Sequence, residues 1–308
     1  LIIPQIIKDL EPFLDLRVLA LNIFVDRLSS VVFRKTNNER QKRNHKAIFN
    51  HLLTSNQLFL HRMWTICKKE ISQFFSTLTG YLSILLFLIL NGIFLFVFSS
   101  FNIFDYGYAS LENFFTLSPY VLLILIPATT MRLLTDEWRS GTMEILLTRP
   151  VSSRAIITGK YLASMLVIML ALLPTLIYPI CLQYLAAEEH ALDWGAIAGA
   201  YTGLLFLCSS FAAISLCVSS FTQNSIVAFL LSAISCFVFY KGFDALSTLS
   251  VFRGKGDFFV LQLGMEYHFR SLSRGVIDIR DLIYFISLSY FFIYITTNRI
   301  TSRQKTGR

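Results

Sequence analysis

The chain has 308 residues, 55% of them hydrophobic and 15% charged, with a mean hydropathy of +0.60. Soluble domains carry about 25% charged residues, so a soluble globular protein is excluded and the apolar runs behind the deficit read as membrane spans. The net charge of +8 does not point to nucleic acid: the basic residues sit at the ends of apolar runs and in the first 62 positions, without a nucleic-acid-binding signature.

No Met precedes Met63. Residues 1–62 contain a basic polar run from Arg34 to Lys46. They also contain an apolar stretch, Leu10–Val31, broken by Asp15, Arg17, Asp26 and Arg27. Neither reads as a span or a signal peptide. Residues 1–62 are expected to be an N-terminal extension, either a cytoplasmic tail or a stretch upstream of a native start at Met63. Residues 63–308 form the membrane domain. In it, Trp64, Cys67, Ile71, Phe74 and Leu78 fall on one helical stripe. Lys68 and Lys69 fall off that stripe. The pattern predicts an amphipathic elbow helix in the membrane interface, with Trp64 at headgroup depth and the lysines facing anionic lipid.

Charge-poor segments predict six spans, at about 81–98, 117–134, 161–187, 195–220, 225–241 and 282–298. Apolar runs near 18 residues read as spanning helices, because only a helix satisfies its own backbone in hydrocarbon. Pro127 lies in the second span, Pro174 and Pro179 in the third, and Phe221-Thr-Gln-Asn224 parts the fourth from the fifth. Lys/Arg asymmetry places Lys68, Lys69, the 132–160 stretch and the tail with Arg299, Arg303, Lys305 and Arg308 in the cytoplasm. The loops at 99–116 and 188–193 lack Lys and Arg and lie outside. Both termini are then cytoplasmic. Residues 241–281 are outside by parity yet basic (Lys241, Arg253, Lys255, Arg270, Arg274, Arg280), with five acids nearly balancing them. They predict an outer helical insert that dips into the membrane at Phe258-Phe259-Val260.

Several chemistries are missing. No G-x-x-x-x-G-K-[ST] phosphate loop occurs, so the chain is not expected to hydrolyse ATP or to be an enzyme. The predicted spans have no carboxylate at their centres, which weighs against an ion-coupled carrier. No His pair has metal-ligand spacing, and the five cysteines form no CxxC pair. Ser209-Ser210 and Ser219-Ser220 read as helix-packing residues rather than nucleophiles.

The polar stretch from Arg132 to Lys160 carries the most information. Asp136 and Glu137 sit near a helix start. Gly141 permits a sharp bend. Thr142 to Leu147 forms a short second helix, with Thr142 as its cap and Glu144 in its first turn. Ile145, Leu146 and Leu147 give an apolar surface, Pro150 ends the helix, and Ser152 or Ser153 caps the third span. Such an element suits a cleft on a cytosolic partner, although a structured loop without a partner fits the same residues.

The segment Glu137…Gly141-Thr-Met-Glu-Ile-Leu-Leu-Thr-Arg-Pro-Val-Ser152…Gly159-Lys160 resembles the signature of ABC-2 type permeases. Further stretches resemble a gliding motility-associated branch of that family: Met63–Ile71, Leu90–Phe98, Asp105–Tyr108 and Ser273–Phe285. The resemblance implies an all-α, type V exporter-like membrane protein. It would have six transmembrane helices, an elbow helix (Trp64, Lys68, Lys69, Phe74) and a cytoplasmic coupling helix, with a re-entrant insert before span six. It implies a cytosolic ATP-binding subunit (GldA-like), where ATP would bind, no cofactor on this chain, and a second membrane subunit (GldG-like) or a homodimer. The expected setting is the bacterial inner membrane and the expected role that of an ATP-driven exporter permease. ATPase coupling is expected at Asp136, Glu137, Gly141, Thr142, Glu144, Leu146, Leu147 and Pro150, with Leu146, Leu147 and Pro150 as the docking surface. A non-transporting membrane anchor for an ATPase is the alternative.

Overall fold

The computed structural model describes residues 39–98, 111–148, 151–185, 192–248 and 257–306, and their regular structure is entirely helical. Helix α1 (Glu39–Ser76) runs through Met63 without a break. Helices α2 (Leu78–Phe96) and α3 (Glu112–Thr130) follow, and α3 continues past Met131 into α4 (Arg132–Arg139). Next come α5 (Thr142–Thr148) and α6 (Ser153–Leu172). Pro174, which has no N–H to donate, sits in a 3-10 turn at Leu173–Leu176 that joins α6 to α7 (Ile177–Leu185). Helix α8 is Trp194–Ser219. Helix α9 (Ser225–Phe237) passes through a π-helical turn, Val238–Gly242, into α10 (Phe243–Ser247). Helices α11 (Asp257–Gln262), α12 (Met265–Leu272) and α13 (Ile279–Thr306) complete the chain.

Six helical stretches are long and apolar enough to cross a membrane: Leu78–Phe96, Glu112–Arg139, Ser153–Tyr184, Trp194–Ser219, Ser225–Ser247 and Ile279–Gln304. They match the six predicted spans in number and order. The ends differ because a hydropathy reading stops at the first charges, while helical hydrogen bonding runs on. The second span therefore continues to Arg139 and the fifth to Ser247, which brings Lys241 and Asp244 inside a spanning helix.

Helix α8 is the centre of the bundle, packed by α3, α6, α9, α12 and α13. Its sequence explains this position: Gly199, Gly203, Ser210, Ala212, Ala213 and Ser215 let neighbours approach closely. A Cβ on Gly203 would stand 2.5 Å from the Cβ of Leu272, and one on Gly199 would stand 2.7 Å from the Gly275 carbonyl oxygen. Gly275 itself turns the chain at φ +82°. Hydroxyls join the helices inside the bundle. Ser209 Oγ lies 2.9 Å from Ser289 Oγ and 2.6 Å from the Tyr161 hydroxyl, and Ser210 donates to the Phe285 carbonyl at 3.2 Å. The serine pair at 209–210 thus performs the packing role expected of it.

The insert before the sixth span packs onto the bundle through Met265, Phe269 and Leu272, all buried. Two of its basic residues, which conflict with charge-based topology, are paired with acids of the same segment, and Arg253 and Lys255 lie outside the described residues. Lys241 Nζ lies 2.6 Å from Glu266 and 3.3 Å from Asp244, and Arg270 bonds Glu266 at 3.0 Å. His268 sits 2.7 Å from Asp281 and stacks on Tyr284 at 4.0 Å. Tyr284, about one and a half turns into α13, donates to the Leu263 carbonyl at 2.6 Å. The turn between α11 and α12 therefore lies deeper than Gly275, which touches the start of α8. Phe258 and Phe259 on α11 are exposed.

Candidate functional site

The coupling element is built from α4 and α5 at one end of the bundle. Helix α4 closes at Ser140, and Gly141 takes φ +71°. A residue with a Cβ would lose about 1–2 kcal/mol in that region. Nothing lies within 4 Å of where a Cβ would stand, so backbone conformation and not space demands glycine. The bend is where the sequence puts it. Thr142 is different. It is the first residue of α5, not its cap, and its hydroxyl contacts the Ser140 hydroxyl at 2.8 Å and donates to the Glu137 carbonyl at 3.4 Å. The reversal at Gly141 lays this side chain over the last turn of α4, where helix carbonyls lack backbone donors. Ser152 caps α6, accepting from Ala155 N at 3.3 Å.

Helix α5 has two faces. Met143 is fully buried in a cluster with Leu134, Ile157, Leu216 and Ile300, and Leu146 and Leu147 pack against the same cluster. Spacings of three and four residues put these three side chains on one stripe. The apolar surface expected to dock a partner is thus largely turned inward. The outward face carries Thr142, Glu144, Thr148 and Ile145, the last 61% exposed. Pro150 lies outside the described residues.

Beneath α4 is an ion cluster drawn from three separate segments. Lys160, with 0% exposure, donates to Glu70 Oε1 at 2.9 Å and to the Leu133 carbonyl at 2.6 Å. Glu137 Oε2 lies 3.0 Å from the same ammonium, off the angle of a hydrogen bond, and so pairs with it as an ion. Lys69 bridges the two acids, 3.0 Å from Glu137 and 3.4 Å from Glu70. Burial lowers the pKa of Lys69, but the Glu70 and Glu137 carboxylates outweigh it and the net shift is upward from 10.5. Burial, with Glu70 adding to it, pushes the Cys67 thiol up to about 12, which makes it an inert core group.

Gly159 explains how α6 reaches this cluster. A Cβ there would stand 2.8 Å from the Met63 carbonyl oxygen and 3.1 Å from Ile66 Cβ, so α6 and α1 meet almost backbone to backbone. The Gly159-Lys160 pair thus combines a close crossing with a buried cation. The stripe on α1 is used the same way. Cys67 and Ile71 are buried against Ala163, with Trp64, Phe75, Leu162 and Leu166 around them. The stripe therefore faces α6, where the sequence reading faced it to the membrane interface, and Lys69 turns toward Glu137 instead of lipid. Apolar side chains at this spacing suit a protein groove as well as a bilayer. Phe74 is half-buried and Lys68 also lies partly covered.

Other contacts fasten the element to the remaining spans. Asp136 accepts from the Ser225 hydroxyl at 3.0 Å, at the start of α9, which Asn224 caps. Gln304 near the end of α13 donates to the Leu147 carbonyl at 2.9 Å and accepts from Ser153 at 3.3 Å. Arg303 lies over Trp138 at 4.7 Å, and Arg299 over Phe221 at 5.1 Å. The structure thus joins Asp136, Glu137, Leu146, Leu147 and Lys69 in one interior network and leaves Glu144 and Ile145 at its surface. The sequence reading missed Glu70, Ser225 and Gln304 as partners. No local signal marked them, because a lysine at the cytoplasmic start of a span is ordinary and only the packing buries Lys160.

A family model described as "ABC-2 family transporter protein" matches residues 64–252. No curated protein matches the chain.

Proposed function

The chain belongs to the ABC-2 transporter family, and we propose that it is the permease subunit of an ATP-driven exporter in which α5 passes the motion of a partner ATPase to the spans. ABC-2 permeases are non-catalytic multi-pass membrane subunits that pair with an ATP-binding subunit. The observation that carries the coupling role is the build of α5: an outward face at Glu144 and Ile145 on a base tied to α1, α6, α9 and α13. A push on that face cannot be absorbed locally, because the contacts beneath it reach four other helices.

Orientation follows from charge. Lys68, Lys69, Arg132, Arg139, Arg154, Arg299 and Arg303 gather at the end that holds α4 and α5. Basic flanks favour the cytoplasmic side, which supports cytoplasmic termini and an inner-membrane location. Transport, as against mere anchoring, draws support from the polar group at Lys241, Asp244, Glu266 and Arg270. Tyr240, beside Lys241, meets Phe211 edge-on at 5.9 Å. Phe211 is roughly 25 Å along α8 from Trp194, at 1.5 Å per residue. These charges therefore sit at membrane depth, yet Arg270 is 61% exposed in the single chain. Charges at that depth face water or a partner, not lipid, and a simple anchor has no use for such a surface. The GldF-like stretches named above support the narrower reading of a gliding-motility permease working with GldA-like and GldG-like subunits, or as a homodimer.

The test is Glu144→Lys in the assembled complex in proteoliposomes. The exposed side chain leaves insertion and melting temperature unchanged, while stimulated ATPase activity and cargo export fall by about tenfold, a loss of about 1.4 kcal/mol of coupling. Full export with unchanged co-purification of the ATPase removes α5 from the coupling role.

A further inference from the structure

A cavity of about 320 Å³ lies where α1, the first turns of α2 and the α3–α4 junction meet. It is separate from the outward face of α5, and its position is the boundary between the end of α1 and the first span. Its lining mixes polar and apolar side chains: Gln73 comes from α1, Arg132 from α4, and one face of α2 alternates Thr79 and Ser83 with Leu82 and Leu86, which form the apolar part of the wall. Both leucines are more than half exposed and continue into Leu85 and Ile89, the outward surface of α2. The apolar wall therefore opens sideways toward the bilayer.

The charges around the cavity are unequal in availability. Glu70 contributes a carboxylate, but Lys160 and Lys69 neutralise it. Asp136 accepts from the Ser225 hydroxyl and keeps its negative charge. The Arg132 side chain is exposed and has no hydrogen bond or ion pair among the described residues. The unpaired cation at the polar rim is thus a guanidinium, whose planar fork suits phosphate oxygens. A pocket of this size stands at the low end of the range for ligand sites, about 300–1,000 Å³. It has room for a headgroup and glycerol, with the acyl chains left in the bilayer against Leu82 and Leu86.

We propose that this cavity is a binding site for the phosphate headgroup of an anionic membrane phospholipid, with Arg132 as its anion-binding residue. The lipid would bridge α1, α2 and α4. Because Glu70 and Leu133 line the same cavity and also hold Lys160, its occupancy stiffens the base of the coupling element. The inference does not depend on the proposed role of α5.

Native mass spectrometry of the purified full chain tests it, with phosphatidylglycerol and phosphatidylcholine of identical acyl chains added in turn. The unmodified protein retains one phosphatidylglycerol at about tenfold lower lipid concentration than phosphatidylcholine. Arg132→Ala abolishes that preference, and Leu86→Trp, which fills the apolar wall and keeps the charge, lowers retention of both lipids. Millimolar inorganic phosphate leaves retention unchanged. Equal retention of the two lipids by the unmodified protein overturns the proposal, as does an undiminished preference in Arg132→Ala. Displacement of the lipid by inorganic phosphate overturns it too, because the site would then be one for the free ion.

Discussion

Replacing Lys160 by Met tests whether the ion cluster holds the elbow, α4 and α6 together. Lys160 is fully buried between Glu70 at 7% exposure and Glu137 at 13%. Its loss leaves two largely buried carboxylates with one counterion, Lys69, whose side chain is 56% exposed. Breaking a buried pair from one side costs about 3–5 kcal/mol. The Lys69 contacts at 3.0 and 3.4 Å survive, so the lower end of that range, about 3 kcal/mol, applies. At about 2–4 °C per kcal/mol for a chain of this class, the melting temperature falls by roughly 6–12 °C. Thermal unfolding of the purified chain, read by tryptophan fluorescence, measures it, since Trp138 adjoins Glu137. The decisive arm is Glu70→Gln added to Lys160→Met. That pair removes the surplus negative charge, leaves Glu137 with Lys69, and recovers roughly half of the lost stability. If Lys160→Met melts with the unmodified protein, or if Glu70→Gln destabilises it further, the cluster is not the element that fastens these helices.

Two further outcomes follow from single positions. Gly141→Ala costs about 1–2 kcal/mol from its positive φ alone, and it lowers stimulated ATPase activity by tilting α5. Gly141→Asn, a residue that tolerates the left-handed region, retains most of the stability and activity. Equal behaviour of the two variants would count against a conformational requirement. For Lys69, the folded pKa is raised above the ordinary 10.5, so its contribution is fully present below that value and is lost as pH rises through the higher, folded pKa. The gap in melting temperature between the unmodified protein and Lys69→Met is therefore constant between pH 7 and 9 and closes above about pH 10.5. A gap that widens with alkaline pH refutes the pairing.

Much of the architecture was legible along the chain. Five runs without charge, one of them long enough for two crossings, dictate six helices, because a bilayer offers the backbone no other way to satisfy its hydrogen bonds. Gly141 and Ser152 were legible too, since a left-handed turn and a helix cap depend on neighbours a few residues away. Thr142 was misread at the same local scale: its hydroxyl answers to the carbonyls of the preceding helix, and only the direction of the bend selects them. The inward turn of Leu146 and Leu147 lay beyond sequence because the cluster that receives them comes from Leu134, Ile157, Leu216 and Ile300. A stripe of apolar residues states that a face is buried, and it carries no record of what buries it. The charged groups divide in the same way. Lys160 stands at the border of an apolar run, where a cytoplasmic flanking lysine needs no acid. That Glu70 and Glu137 would pair with it, with Gly159 holding α6 tight against α1 so that the ammonium reaches them, was decided by packing. Membrane insertion sums over local hydrophobicity and so is set by the sequence segment by segment. Coulomb pairing depends on distances of a few ångströms between remote segments, and those distances exist only in the folded bundle.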